Sequence, residues 1–173
     1  MCDPSQEPIP LKVWNRAGEA GILVAANIDL GGATVRGTVS PLDVPGLVGE
    51  RFVVYEYFSR TARIVERSGK VAVSLEPDSC ALYAIVPLGD PLTPIGLADK
   101  YVAPAALVDW LTTKGRATFV LLDGGLFAWV AENAPEEVRV NGEIVAAVQG
   151  NGIFTVDCSE IQGTVWVEIT QPV

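Results

Sequence analysis

The feature that most limits what this chain can become is a series of short apolar segments, each of strand length and each cut off by glycine, proline or an Asn/Asp turn. Residues 70–75 (KVAVSL) alternate, so Val71, Val73 and Leu75 share one face. Residues 163–170 (GTVWVEIT) set Val165, Val167 and Ile169 against Trp166 and Glu168. Residues 11–15 (LKVWN) suit a half-buried strand, whereas 21–28 (GILVAANI) is a continuous apolar run. Residues 79–88 (SCALYAIVPL) are the most apolar and belong at the centre of a sheet, with Pro87 at the strand end where a missing N–H is tolerated. Further strands are expected over 34–39, 52–58, 61–66, 116–122, 126–131, 138–140, 144–148 and 153–158. Asn141-Gly142 and Gly150-Asn151-Gly152 are tight-turn sequences. A tight Ser59-Arg60 turn would set Glu56 opposite Arg63 and Tyr55 opposite Ile64. Neither turn residue favours positive φ, so a wider loop is the alternative. Only 105–112 has a helical look, and no amphipathic helical window lies between the strands. The expected fold class is all-β: an antiparallel β-sandwich, Greek-key-like, with at most one short helix. No repeat of fixed period is visible.

Composition narrows the function. At 173 residues with 49% apolar content, the chain is long and apolar enough for one well-buried domain. A net charge of −9 argues against a nucleic-acid backbone or an anionic membrane as partner. No apolar run is long enough to span a bilayer as a helix. Met1-Cys2-Asp3-Pro4 shows no signal-peptide pattern, so a cytoplasmic location is expected. There is no histidine, which removes Ser-His-Asp and Cys-His catalysis, a histidine base and His-rich metal sites. Cys2, Cys80 and Cys158 are odd in number and widely spaced, which suits free buried thiols in a reducing compartment. No phosphate-binding glycine loop occurs, and no cofactor or metal is expected.

The remaining candidates are acids, aromatics and one irregular segment. A glycosidase needs two facing carboxylates. Asp43, Asp90, Asp99 and Asp123 qualify by type, but they lie mostly in turn sequences, where Asp serves the backbone. Residues 89–104 read as irregular, and Asp99-Lys100-Tyr101 within them suit a polar site or an interface loop. Trp14, Trp110, Trp129 and Trp166 could stack on sugars. Strong alternation around Trp14 and Trp166 favours the core or a neighbouring domain instead.

Several segments, taken in order, resemble the C-terminal β-domain of raffinose synthase-like enzymes of the α-galactosidase clan. Leu11-Lys12-Val13-Trp14-Asn15 is similar to an LKxWN strand that opens that domain, and Cys2-Asp3-Pro4 to the stretch before it. Residues 21–27, 40–47 (SPLDVPGL), 54–64 and 70–88 resemble successive segments, although Arg60 stands where the hairpin has glycine. Pro94-Ile95-Gly96-Leu97 matches PIGL, the sharpest of these. The resemblance covers about residues 2–105. It implies a glycoside hydrolase of galactoside metabolism whose catalytic aspartates lie on a (β/α)8 barrel, for which this chain has no room. No residue here inherits a catalytic role.

The resulting expectations are a linker at 1–10 from a preceding catalytic barrel and a single β-sandwich domain at 11–173. The function expected is that of a non-catalytic accessory domain that packs on the barrel and stabilises it. Pro94, Ile95, Gly96, Leu97, Asp99, Lys100 and Tyr101 are the expected interdomain contacts. The expected partners are the barrel and an oligosaccharide. The alternative functions are a stand-alone carbohydrate-binding module and, third, a small carboxylate-based enzyme.

Overall fold

The computed structural model describes residues 8–172. Cys2, Asp3, Pro4 and most of the expected linker lie outside the described residues. At the edge of that stretch, Pro10 packs on Gly37, where a Cβ would come within 2.7 Å of the proline ring.

Strands β1 (Leu11–Ala17), β2 (Ala20–Ala26), β3 (Val35–Val39), β4 (Arg51–Glu56), β5 (Thr61–Glu66), β6 (Val71–Leu75) and β7 (Cys80–Pro87) form the first half. The second half contains β8 (Leu92–Leu97), β9 (Leu107–Thr113), β10 (Arg116–Leu121), β11 (Leu126–Ala131), β12 (Glu137–Val140), β13 (Glu143–Val145), β14 (Val148–Gly150), β15 (Ile153–Asp157) and β16 (Val165–Thr170). Two short 3-10 turns, Pro41–Asp43 and Ala103–Ala106, are the only helical elements among the described residues. Every strand pairing is antiparallel, so the all-β antiparallel expectation holds.

The strands make four sheets. Sheet I is β3-β6, sheet II is β1-β2-β7-β4-β5, sheet III is β14-β15-β11-β8, and sheet IV is β13-β12-β16-β10-β9. They stack in that order, because three separate cores join them. Val39, Val73 and Leu75 of sheet I pack with Leu23, Phe52, Val54, Tyr83 and Ile85 of sheet II. The opposite face of sheet II, with Ile22, Val53, Tyr55, Leu82 and Ala84, meets Ile95, Ala128, Val130 and Ile153 of sheet III. The other face of sheet III, with Phe127, Trp129, Phe154 and Val156, meets Phe119, Val138, Val167 and Ile169 of sheet IV. An aromatic column runs through this last core, from Phe119 to Phe127 to Trp129 to Phe154, with neighbouring centroids 5.2 to 5.8 Å apart.

The two halves repeat one layout. In the first, hairpins β1–β2 and β4–β5 flank a closing strand, β7. In the second, hairpins β9–β10 and β12–β13 flank β16 in the same way. The intervening strands pair on the companion sheet, β3 with β6 and β11 with β15. The register is kept as well: Trp14 lies opposite Leu23, and Trp110 lies opposite Phe119.

Four local expectations change. The helical look of 105–112 gives way to strand β9, Leu107–Thr113, with a single 3-10 turn at Ala103–Ala106 before it. The β4–β5 register puts Val54 opposite Arg63 and Tyr55 opposite Ala62, so the turn is the wider one, 57–60. The expected strand at 144–148 is two strands, β13 and β14, that belong to different sheets. Residues 89–104 are not irregular throughout, because β8 occupies 92–97. Pro94 is tolerated there because β8 is the edge of sheet III, and the β11–β8 register shifts between Ala128 and Trp129.

Candidate docking face

One end of the molecule presents exposed aromatic rings on a hydrogen-bonded frame. β4 leads into turn 57–60, which Glu56 organises: its carboxylate accepts the amide N–H groups of Phe58 and Ser59. Arg60 takes a left-handed conformation, φ 52°, and the Ser59 and Thr61 hydroxyls bond at 2.8 Å. Phe58 is thereby held at the surface, 58% exposed. Facing it is the connection 98–102. The Tyr55 hydroxyl donates to the Ala98 carbonyl and the Tyr57 hydroxyl to the Asp99 carbonyl, both at 3.3 Å. The Tyr57 ring lies 5.0 Å from Tyr101 and 5.2 Å, edge-on, from Phe58. Tyr101 is 66% exposed, and Val102 beside it is also exposed.

The expected contact residues divide on either side of this face. Ile95, Gly96 and Leu97 lie inside the chain's own cores, and Pro94 is half-buried at the rim of a cleft. The Asp99 carboxylate accepts the Leu126 amide at 3.0 Å and fills the space that Gly125 leaves open. Lys100 and Tyr101 are exposed. Sequence reasoning missed Tyr57 and Phe58, the partners of Tyr101. The available signal was an aromatic pair running into a polar turn, where strand alternation no longer requires apolar residues.

The acids are mostly structural. Asp43 closes a capping box with Ser40 and pairs with Lys12 at 2.8 Å. Asp123 accepts the amides of Gly124 and Gly163. Asp90 lines a cleft with Glu50, Glu132 and Arg51. No group of three or more metal-ligating side chains assembles among the described residues. Cys158 is buried, and burial, helped by the Asp157 charge, pushes its thiol up to about 11. Cys80, expected to be buried, is exposed because it begins β7 at the end of the sheet. Cys2 lies outside the described residues. Of the tryptophans, Trp129 alone is core; Trp14, Trp110 and Trp166 are about half exposed, at 47%, 46% and 53%. Trp14 and Trp166 are therefore not packed in this chain's core. No helix is long and apolar enough to cross a membrane among the described residues.

What this end can do chemically is give up aromatic area to a partner. A buried Phe or Tyr ring removes roughly 150–250 Å² from water, and the frame beneath is already ordered, which lowers the entropic cost of docking.

No family model matches the chain. A curated relative does: the chain is 28% identical, over an alignment 178 residues long, to galactinol–sucrose galactosyltransferase of Oryza sativa subsp. japonica. That alignment takes in 85% of this chain but 23% of the relative's length. Most of this chain is thus similar to a domain-length part of a raffinose synthase.

Proposed function

We propose that this chain is the non-catalytic C-terminal β-domain of an α-galactosidase- or raffinose synthase-like enzyme, and that it packs on the catalytic barrel and stabilises it. The observation that carries this reading is the asymmetry of the alignment, 85% of the chain against 23% of a galactosyltransferase. The geometry supports it in two ways. The exposed Phe58 and Tyr101 rings, which the chain's own cores do not use, sit beside an ordered frame that those cores hold. Asp43, Asp99 and Asp123, which a hydrolase could have used, are committed to backbone amides or an ion pair. The docking face is this aromatic end, with Lys100 and Tyr101 at its centre and Phe58 at its rim.

The test is association between the purified chain and the catalytic part of its parent enzyme, measured by pull-down and titration calorimetry. Wild type is expected to bind. Replacing Phe58 and Tyr101 together by Ala is expected to weaken binding by about 10-fold or more, with folding little changed because both rings are exposed. Absence of binding by the wild-type chain overturns the reading. Binding that the double substitution leaves intact moves the interface elsewhere.

A further inference from the structure

We infer that the cleft between the two halves is a pyranoside-binding site in which the Trp110 indole is the stacking platform. The cleft, of about 560 Å³, lies within the size range of small-molecule sites, roughly 300–1,000 Å³. Its walls come from the β1–β2 turn, the β7–β8 connection, the start of β8, and the segment running into β9. Trp110 pairs across the strands with Phe119, which is fully buried. Being on the edge strand of sheet IV, Trp110 stays 46% exposed and lines the cleft instead of the core.

The cleft is also lined by aliphatic and proline residues, Leu88, Pro94 and Leu107 among them. Polar groups stand at the rim. Glu19 occupies the two-residue β1–β2 turn, and its carboxylate has no hydrogen-bond or ion-pair partner among the described residues. Thr112 adds a hydroxyl. Thr93 accepts the Gly89 amide at 2.8 Å, which fixes the rim loop.

These features select the ligand class. No lysine or arginine lines the cleft, so a phosphate or carboxylate ligand would find no counter-charge. A wholly apolar ligand would make no use of the Glu19 carboxylate and the Thr112 hydroxyl in the lining. A pyranose has a flat C–H face for the indole and hydroxyls around its edge for a carboxylate and a threonine, which fits both halves of the lining. The choice of galactosides as probes rests on the reading proposed above; the stacking geometry does not.

The test is chemical-shift mapping of the isotope-labelled 173-residue chain with galactose, melibiose and raffinose, each to about 20 mM. Saturable shifts are expected at the Trp110 indole, at residues 17–20 and at Gly89. Trp110→Ala is expected to weaken binding at least ~10-fold and Glu19→Gln by about 3- to 10-fold. Trp166→Ala, on the outer face of sheet IV, is expected to bind as wild type. Glu19 lies in an exposed turn, so its substitution decides the matter even if Trp110→Ala fails to fold. No shift with any of the three sugars, unchanged affinity in both cleft variants, or shifts centred on Trp166 or Tyr101 would each overturn the inference. Association with the catalytic part is scored separately. Lost sugar binding with retained association removes the cleft site alone; the reverse removes the accessory-domain reading alone.

Discussion

Gly96 and Gly150 both sit in strands, and they differ in what surrounds them. Gly96 has φ 104°, and a Cβ there would overlap the Ala103 carbonyl oxygen. This close approach lets the 3-10 turn Ala103–Ala106 lie against β8. Gly96→Ala is expected to cost about 3 kcal/mol or more in denaturant unfolding, because conformation and space both fail. Gly150 has open space at its Cβ position, so Gly150→Ala is expected to be neutral or to gain up to about 1 kcal/mol. Two phenols report on burial in another way. Tyr55 and Tyr83 are 1% and 4% exposed, and desolvation pushes both up from 10.0 to about 12. The nearby Glu56 charge adds to the rise at both, while Arg60 opposes it at Tyr55. The folded chain therefore holds these protons more tightly than the unfolded chain does. The stability that these two phenols contribute is expected to be full below pH 10 and to fall as pH rises toward 12. The loss is up to about 2–3 kcal/mol per phenol, and urea unfolding across this range is expected to show a shallower fall in Tyr83→Phe. At this scale the sequence was readable where a residue acts on its neighbours. Asp43 and Asp123 serve nearby backbone, as turn acids do. The role of Asp99 depends on Leu126, distant in the chain, and no local pattern announces it.

Among the elements, the two-residue hairpins carry their own instructions. Asn141-Gly142 joins β12 to β13 with φ 49° and 87°, and Asn151-Gly152 joins β14 to β15 with φ 54° and 81°. Both match the doubly left-handed turn that suits strand twist. They are not equally exposed to substitution. The Asn141 side chain also accepts the Trp166 amide at 2.9 Å, and the Asn141 backbone N–H donates to the Trp166 carbonyl, tying the hairpin to the closing strand. Asn151→Ala removes the residue type that tolerates positive φ and is expected to cost about 1 kcal/mol. Asn141→Ala also removes the side-chain acceptor of the Trp166 amide and is expected to cost up to about 1 kcal/mol more. Equal thermal shifts in the two variants would show that the Asn141 side-chain bond contributes nothing. Alternation made β6 and β16 legible, with Val73, Leu75, Val165, Val167 and Ile169 buried as read. β8 was hidden by Pro94 and Gly96, residues that argue against a strand unless it is an edge with a register shift. The division of 144–150 between two sheets has no local signature, since a chain crossing between layers keeps an ordinary strand composition.

Over the whole molecule, the order of layers was written in the sequence in a form that alternation alone does not disclose. Strands of the outer sheets alternate, as VAVSL of β6 and VWVEIT of β16 do. Strands of the inner sheets are apolar on both faces, as AGILVAA of β2, FVVY within β4 and LFAWVA of β11 are. A strand covered on both sides reads as a continuous run, and these segments of sheets II and III carry that pattern, although the expected plain sandwich did not assign them to covered inner layers. The doubling of the layout left no such trace, because it is kept in strand order and register, not in residue identity. The inner faces bear on how the chain unfolds. If the halves parted, sheet II would expose Ile22, Val53, Tyr55 and Leu82, and sheet III would expose Ile95, Ala128, Val130 and Ile153. At about 25 cal/mol per Å² of apolar area, separation costs enough to bind the fate of each half to the other, so residues 11–173 should behave as one cooperative unit. Ile95 is fully buried at this junction. Ile95→Ala is expected to lower stability by about 2–5 kcal/mol and to keep a single denaturant transition by both fluorescence and circular dichroism, with an unchanged slope. Two transitions, or a reduced slope with one half still folded, would mean that the halves are separate units in contact, and that the junction core holds them side by side without making either depend on the other.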